Sequence, residues 1–267
     1  MLVLGFALVI VAGSLGLMLS SSMAPGVKTS YIDALFTSTS AVCVTGLISV
    51  LTSTNWTTQG HVIILVLIQI GGLGILTASA LFALALGKRF SLRDRLLMQE
   101  ALGQYTLAGL VRLTRYILML TFGIEGIGAV LLAIRFAADM PLPRAIWFGI
   151  FHSISAFCNA GFDLFGNSLE GYVQDWSVNL VITSLIIIGG IGFVVIMEVY
   201  QARAKWAAMS THTKLALATT AFLLVAGTIL IYAFEYNNPD TLVPLGPSGK
   251  WLASYFHSVT PRTAGYN

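Results

Sequence analysis

Three short segments carry the residues that could do chemistry in this chain. The first reads Thr39-Ser-Ala-Val-Cys-Val-Thr-Gly46. The second reads Ser155-Ala-Phe-Cys-Asn-Ala-Gly161, and the third Ser258-Val-Thr-Pro-Arg-Thr-Ala-Gly265. Each follows an apolar, aromatic-containing stretch and closes on a small residue and a glycine. Phe36 and Phe151 precede their glycines by ten residues, Phe256 by nine. A loop of this kind, repeated around an axis, can present backbone carbonyl oxygens that replace the hydration shell of a cation. Glycine permits the φ angles that turn successive carbonyls one way. The candidate lining, mainly backbone, is Cys43, Val44, Thr45 and Gly46; Cys158, Asn159, Ala160 and Gly161; and Arg262, Thr263, Ala264 and Gly265. Thr45 can add a hydroxyl.

The elements that must position these loops follow from charge and apolar patterning. The chain has 267 residues, 57% hydrophobic and 9% charged, where soluble domains run about 25% charged. So few charges cannot cover a water-soluble surface of this size, and hydrocarbon is the expected solvent for much of it. A spanning helix needs roughly 20 apolar residues. Spans are expected at 2–19, 61–86, 112–136, 178–200 and 215–234. The first is read as a span rather than a signal peptide, because Met1–Ile10 has no basic residue; its basic lead-in is expected to be missing. Short helices at 31–40, 145–156 and 250–259 would aim their negative ends at an ion in the loops.

The span behind each of the first two loops is notched by glycine. Gln69-Ile-Gly-Gly-Leu-Gly74 follows Gly46, and Ile188-Gly-Gly-Ile-Gly192 follows Gly161. Small residues let backbones approach closely in membranes. The expected unit is helix, short re-entrant helix, extended loop, glycine-notched helix. The expected fold is an all-α integral membrane protein of such units around a pore. Residues 1–87 form a first pore repeat, 88–111 a cytoplasmic linker helix and 112–200 a second repeat. Residues 201–214 form a further cytoplasmic linker and 215–267 a partial third repeat. The segments 88–115 and 198–214 hold nine Lys/Arg against three Asp/Glu, so they are expected on the cytoplasmic side. The loops then face the exterior.

Four stretches carry a family resemblance: Thr39–Leu47, Gln69–Gly74, Ser155–Phe162 and Ser258–Asn267. They resemble the Trk/Ktr/HKT superfamily of potassium transporters, and the single span ahead of the first loop looks most like the Ktr-type membrane subunit. The resemblance implies four repeats around a pseudo-fourfold pore, with a glycine at each filter going with potassium preference. Gly46, Gly161 and Gly265 keep that pattern. It implies K+ as the transported ion, with a sodium-permeable or Na+/K+ symporting relative as the alternative. It implies a plasma-membrane homodimer, gated by a cytosolic nucleotide-binding ring, with no cofactor in this chain and no nucleic acid partner. It also implies a fourth loop and a gating loop beyond Asn267, so a C-terminally truncated chain is expected.

Other side chains are read beside these. Glu125 lies mid-span, where a carboxylate needs a partner. The filter-support hypothesis pairs it with Arg262; the plainer reading gives it a hydrogen bond to a neighbouring helix. Cys43 and Cys158, each three residues before a glycine, are read as small packing residues rather than a redox pair. His152 and His257 are read as polar anchors. Ser91–Gly103 is expected as a basic surface helix, suited to a regulatory subunit or to anionic lipid. No paired nucleophile and base is present, which argues against an intramembrane hydrolase. A non-conducting scaffold subunit is the remaining class.

Overall fold

The computed structural model describes residues 2–74 and 107–267. Among these it is helical, with one isolated bridge between Met23 and Trp56. The expected linker helix at 88–111, the basic helix at 91–103 and the far half of the span at 61–86 lie largely or wholly outside the described residues.

The chain divides into two compact units, Met1–Val44 with Ile48–Gly126, and Thr45–Leu47 with Ile127–Asn267. In the first unit, α1 (Leu2–Leu17), α2 (Tyr31–Val42), a single turn α3 (Thr52–Asn55) and α4 (Thr58–Leu73) precede the start of α5 (Leu107–Phe136). The short α2 packs against both α1 and α4. Leu17, Ala34, Ile64 and Ile68 form the buried seam. The start of α2 is set by a capping box: Ser30 Oγ accepts from Asp33 N, and Ser30 N donates to the Asp33 carboxylate. Hydrogen bonds from Ser30 and then Ser49 hold the Asp33 carboxyl below its usual range.

The second unit continues with the end of α5, then α6 (Leu142–Phe157), α7 (Trp176–Ile191), α8 (Phe193–Gln201), α9 (Thr211–Glu235) and α10 (Pro247–Val259). Helix α6 packs on α7, and α10 packs on α9 and α7. Gly149 lets α6 lie against the backbone of α5, where an added Cβ would meet Ala129 O at 2.6 Å. Proline near the first position starts both α6 and α10, where its missing N–H costs nothing. Arg135 at the end of α5 pairs with Asp139 and with Asp175, the N-cap of α7. Tyr172 beside them is raised above its ordinary pKa, by burial first and by the Asp139 charge second.

Two described helices are long and apolar enough to cross a membrane, Arg115–Phe136 and Thr211–Glu235; α7 and α8 make a third together. Apolar side chains cover their outer faces: Phe222 is 68% exposed and Phe234 80%. On α1, Val3 and Leu4 are likewise bare. Such surfaces suit lipid rather than water.

The expected span at 178–200 falls on two helices rather than one. Helices α7 and α8 meet at a 93° bend. The cause is Gly192, with φ 93° and ψ 142°, a backbone outside the helical region. Gly74 ends α4 the same way, with φ 76° and ψ 142°. Both glycines close the Gly-Gly-x-Gly notch, so the motif that permits close packing also stops its helix. The linker at 201–214 is tied down: the Glu198 carboxylate of α8 accepts from Ser210 and Thr213 at the start of α9.

Candidate filter loops

Each of the three loops begins where a short helix stops. Cys43 and Cys158 are the C-caps of α2 and α6, and Thr260 that of α10. The terminal carbonyls of these helices carry the partial negative charge of the helix end.

From there the three loops share one backbone pattern. Val44, Asn159 and Thr263 have φ of 54°, 57° and 66°, and each lies two residues before its glycine. Gly46, Gly161 and Gly265 follow at 76°, 69° and 74°. Left-handed residues therefore alternate with an ordinary one between them. In a strand, with every residue in the same region, successive groups point to opposite sides. Alternating handedness removes that reversal and lets neighbouring carbonyls turn toward one side. For Val44 and Thr263 this conformation is costly, because β-branched residues are outliers there. It persists only where the surroundings over-determine it.

The glycines also meet one another. Thr45–Leu47 group with the second unit. A Cβ on Gly46 would lie 2.6 Å from Ala160 O and 3.3 Å from Gly161 Cα. A Cβ on Gly161 would collide with Ala264 O and lie 3.5 Å from Gly265 Cα. At these glycines the first loop meets the second, and the second the third, backbone against backbone. No side chain fits at either contact.

The notches behind the loops fit as expected. A Cβ on Gly71 would strike Val42 O, and one on Gly189 would strike Phe157 O. Val42 and Phe157 both lie four residues before their filter glycine. The notched helix thus receives the last carbonyl of the short helix.

A second set of contacts was not anticipated from the sequence. Ser38 Oγ lies where a Cβ on Gly13 would be, at 2.5 Å, and Ser153 Oγ stands at the same distance from one on Gly128. Ser258 Oγ fills the corresponding space at Gly227. Ser38 donates to Ile10 O at 2.7 Å and Ser258 to Leu224 O at 2.9 Å. The signal was present: the serines precede their filter glycines by eight, eight and seven residues. The partner glycines lie on the preceding helix, in spans read only as apolar. Glu125 stands three residues before Gly128, as Ile10 and Leu224 stand before Gly13 and Gly227.

The loops are held from behind as well. Ser155 Oγ donates to Phe162 O at 2.9 Å, and Thr260 Oγ1 to Tyr266 O at 2.6 Å. Tyr266, 2% exposed, donates its hydroxyl to Phe162 O at 3.1 Å. His152 is fully buried between Phe148 O at 2.7 Å and Leu164 N at 3.3 Å. A carbonyl needs a donor and an amide an acceptor, so the imidazole is neutral, with its proton on Nδ1. It anchors α6 to the chain leaving the second loop. His257 instead is exposed beside a cavity of about 710 Å³ that Glu170, Glu235 and Asp240 also line.

The cysteines differ from the packing expectation. Cys158 is half-buried, but Cys43 is exposed. Glu125, 4% exposed, accepts from Gln69 Nε2 at 3.0 and 3.3 Å. Arg262 is half-buried in a crevice of about 540 Å³, with Asn159, Gly190, His212, Thr219 and Thr263. Among the described residues no group of three or more His, Cys, Asp or Glu side chains is placed to hold a metal ion.

The family model "TrkH: Cation transport protein" matches residues 5–267, and the chain belongs to that family. Within it, the chain is 45% identical over 266 residues to the Ktr system potassium uptake protein B of Bacillus subtilis (strain 168). That match covers 100% of this chain and 59% of the relative. It is 41% identical over 264 residues to the Potassium/sodium uptake protein NtpJ of Enterococcus hirae, covering 98% and 58%. The crystal structure of the potassium transporter TrkH from Vibrio parahaemolyticus shares the fold, with TM-score 0.66 and 20% identity. It is matched over 97% of this chain and 48% of its own. The chain therefore spans 48–59% of the length of these relatives.

Proposed function

We propose that this chain forms most of the translocation path of a potassium uptake protein. In this reading a dehydrated K+ passes a short filter of backbone carbonyls. The observation that carries it is the shared left-handed alternation in three loops whose glycines touch in sequence. Carbonyl filters satisfy an ion without any charged side chain, and membrane-depth loops need a role that accounts for their irregular backbone. A fourth loop, from the longer protein that the relatives exemplify, would close the ring into a pseudo-fourfold pore.

The names of the relatives support potassium as cargo, and that of NtpJ supports a sodium-permeable alternative. The glycine in each loop favours potassium. The filter side would face the exterior and the basic loops the cytoplasm. The lipid bilayer is the immediate partner. A second copy of the chain and a cytosolic nucleotide-binding ring are the proposed protein partners, and the Ktr names support a multi-component system. Glu125 and Arg262 are proposed as filter-support residues; Glu125→Gln would then lower uptake, and normal uptake with normal stability would contradict that role. The test of the function is rubidium flux into liposomes holding the full-length protein. Flux suppressed by K+ far more than by Na+ is expected. Equal suppression by the two ions would favour the sodium-permeable reading, and no flux would overturn transport.

A further inference from the structure

We infer that the Asn159 side chain is a positioning residue that ties the second filter loop to the third and thereby sets ion preference. The inference rests on the carbonyl-filter reading above. Asn159 is 6% exposed, and its Nδ2 donates to Arg262 O at 2.9 Å and reaches Thr263 Oγ1 at 3.4 Å. Both partners belong to the other loop, more than 100 residues away in sequence. The orientation of the amide follows from its main partner, since a carbonyl accepts only from the NH2 end.

The side chain lies against the Gly189-Gly190 notch. Cβ atoms placed on Gly189 and Gly190 would lie 3.4 Å from its Oδ1 and 2.9 Å from its Nδ2. The Gly-Gly notch of α7 is therefore the seat of this amide as well as of Phe157 O. Asn also suits the backbone, being one of the few residues that enter the left-handed region readily.

The first loop lacks the device. Val44 holds the matching place in the first loop and only packs its Cγ2 at Gly71. Contact between the first and second loops is backbone on backbone, Gly46 against Ala160 O. Between the second and third, the backbone contact of Gly161 with Ala264 O is reinforced by the Asn159 amide. Carbonyls that converge on a cation repel one another when it departs. A cross-loop donor on Arg262 O opposes that spreading, and the spacing and stiffness of the ring bear on K+ against Na+. The Oδ1 atom makes no hydrogen bond among the described residues, so the tie acts through the N–H end alone.

Two variants of the full-length protein test this, by K+ and Na+ competition against rubidium uptake in liposomes. Asn159→Gly keeps the left-handed backbone and deletes the donor. Asn159→Asp keeps the shape and replaces the donor with an acceptor. Both are expected to lower the K+ over Na+ preference about tenfold, with a raised half-saturation for K+. A merely structural role would reduce the amount of active protein, hence the maximal rate, and leave the ratio intact. Unchanged preference in either variant that reaches the membrane overturns the tie, while a selective wild type leaves the filter reading standing. A wild type without flux removes both together.

Discussion

Val44, Asn159 and Thr263, two of them β-branched, take φ of 54°, 57° and 66° at the same place in the three loops. Each sits two positions before a glycine that touches another loop or is touched by one. Strain repeated at one position in three loops marks a common demand on the backbone, of about 1–3 kcal/mol each. The glycines are the other half of that demand. Gly161→Ala forces a Cβ into Ala264 O at φ 69°. We expect it to cut rubidium uptake at least tenfold in the full-length protein while membrane abundance falls less. The rows of small residues showed where the glycines stood in the sequence. The positive φ of Val44 was not legible, because nothing in a valine announces it. The exposure of Cys43 was not legible either, since a cysteine before a filter motif reads as packing.

At the scale of elements, the short helices α2 and α6 are each clamped between two glycine notches. One notch, on the following helix, takes the last carbonyl; the other, on the preceding helix, takes a serine. Gly189→Ala should therefore lower the thermal midpoint of the purified protein more than a surface Gly→Ala. Ser38→Ala should cost about 1 kcal/mol, the net worth of its hydrogen bond, measured by denaturation in detergent. An unchanged midpoint in both would remove the clamp. The capping box on α2 adds a pH signature. The Asp33 carboxyl titrates lower in the fold than its ordinary 3.8, so its contribution is complete above that value. It is lost as pH falls through the lowered one, and Ser30→Ala should reduce this acid dependence. The short helices were legible because apolar stretches too short to span ended at Ser/Thr turns. The bend at Gly192 was missed because apolar composition continues through it; only backbone geometry distinguishes a notch from a stop.

At the scale of the whole chain, what was legible was the order of elements: long helix, short helix, loop, notched helix. Charge-free runs and spaced glycines are strong signals, and the family match over residues 5–267 agrees with them. What was not legible was the network between loops, because Asn159 and Arg262, or Tyr266 and Phe162, become neighbours only after folding. In the reading proposed above, the charge a bare cation would meet is the sum of carbonyl dipoles held in place by glycine contacts. The most direct test is anomalous scattering from crystals of the full-length protein soaked in rubidium. The account predicts a peak enclosed by the carbonyls that precede Gly46, Gly161 and Gly265. A rubidium peak held by side chains elsewhere, with none on that axis, would contradict it.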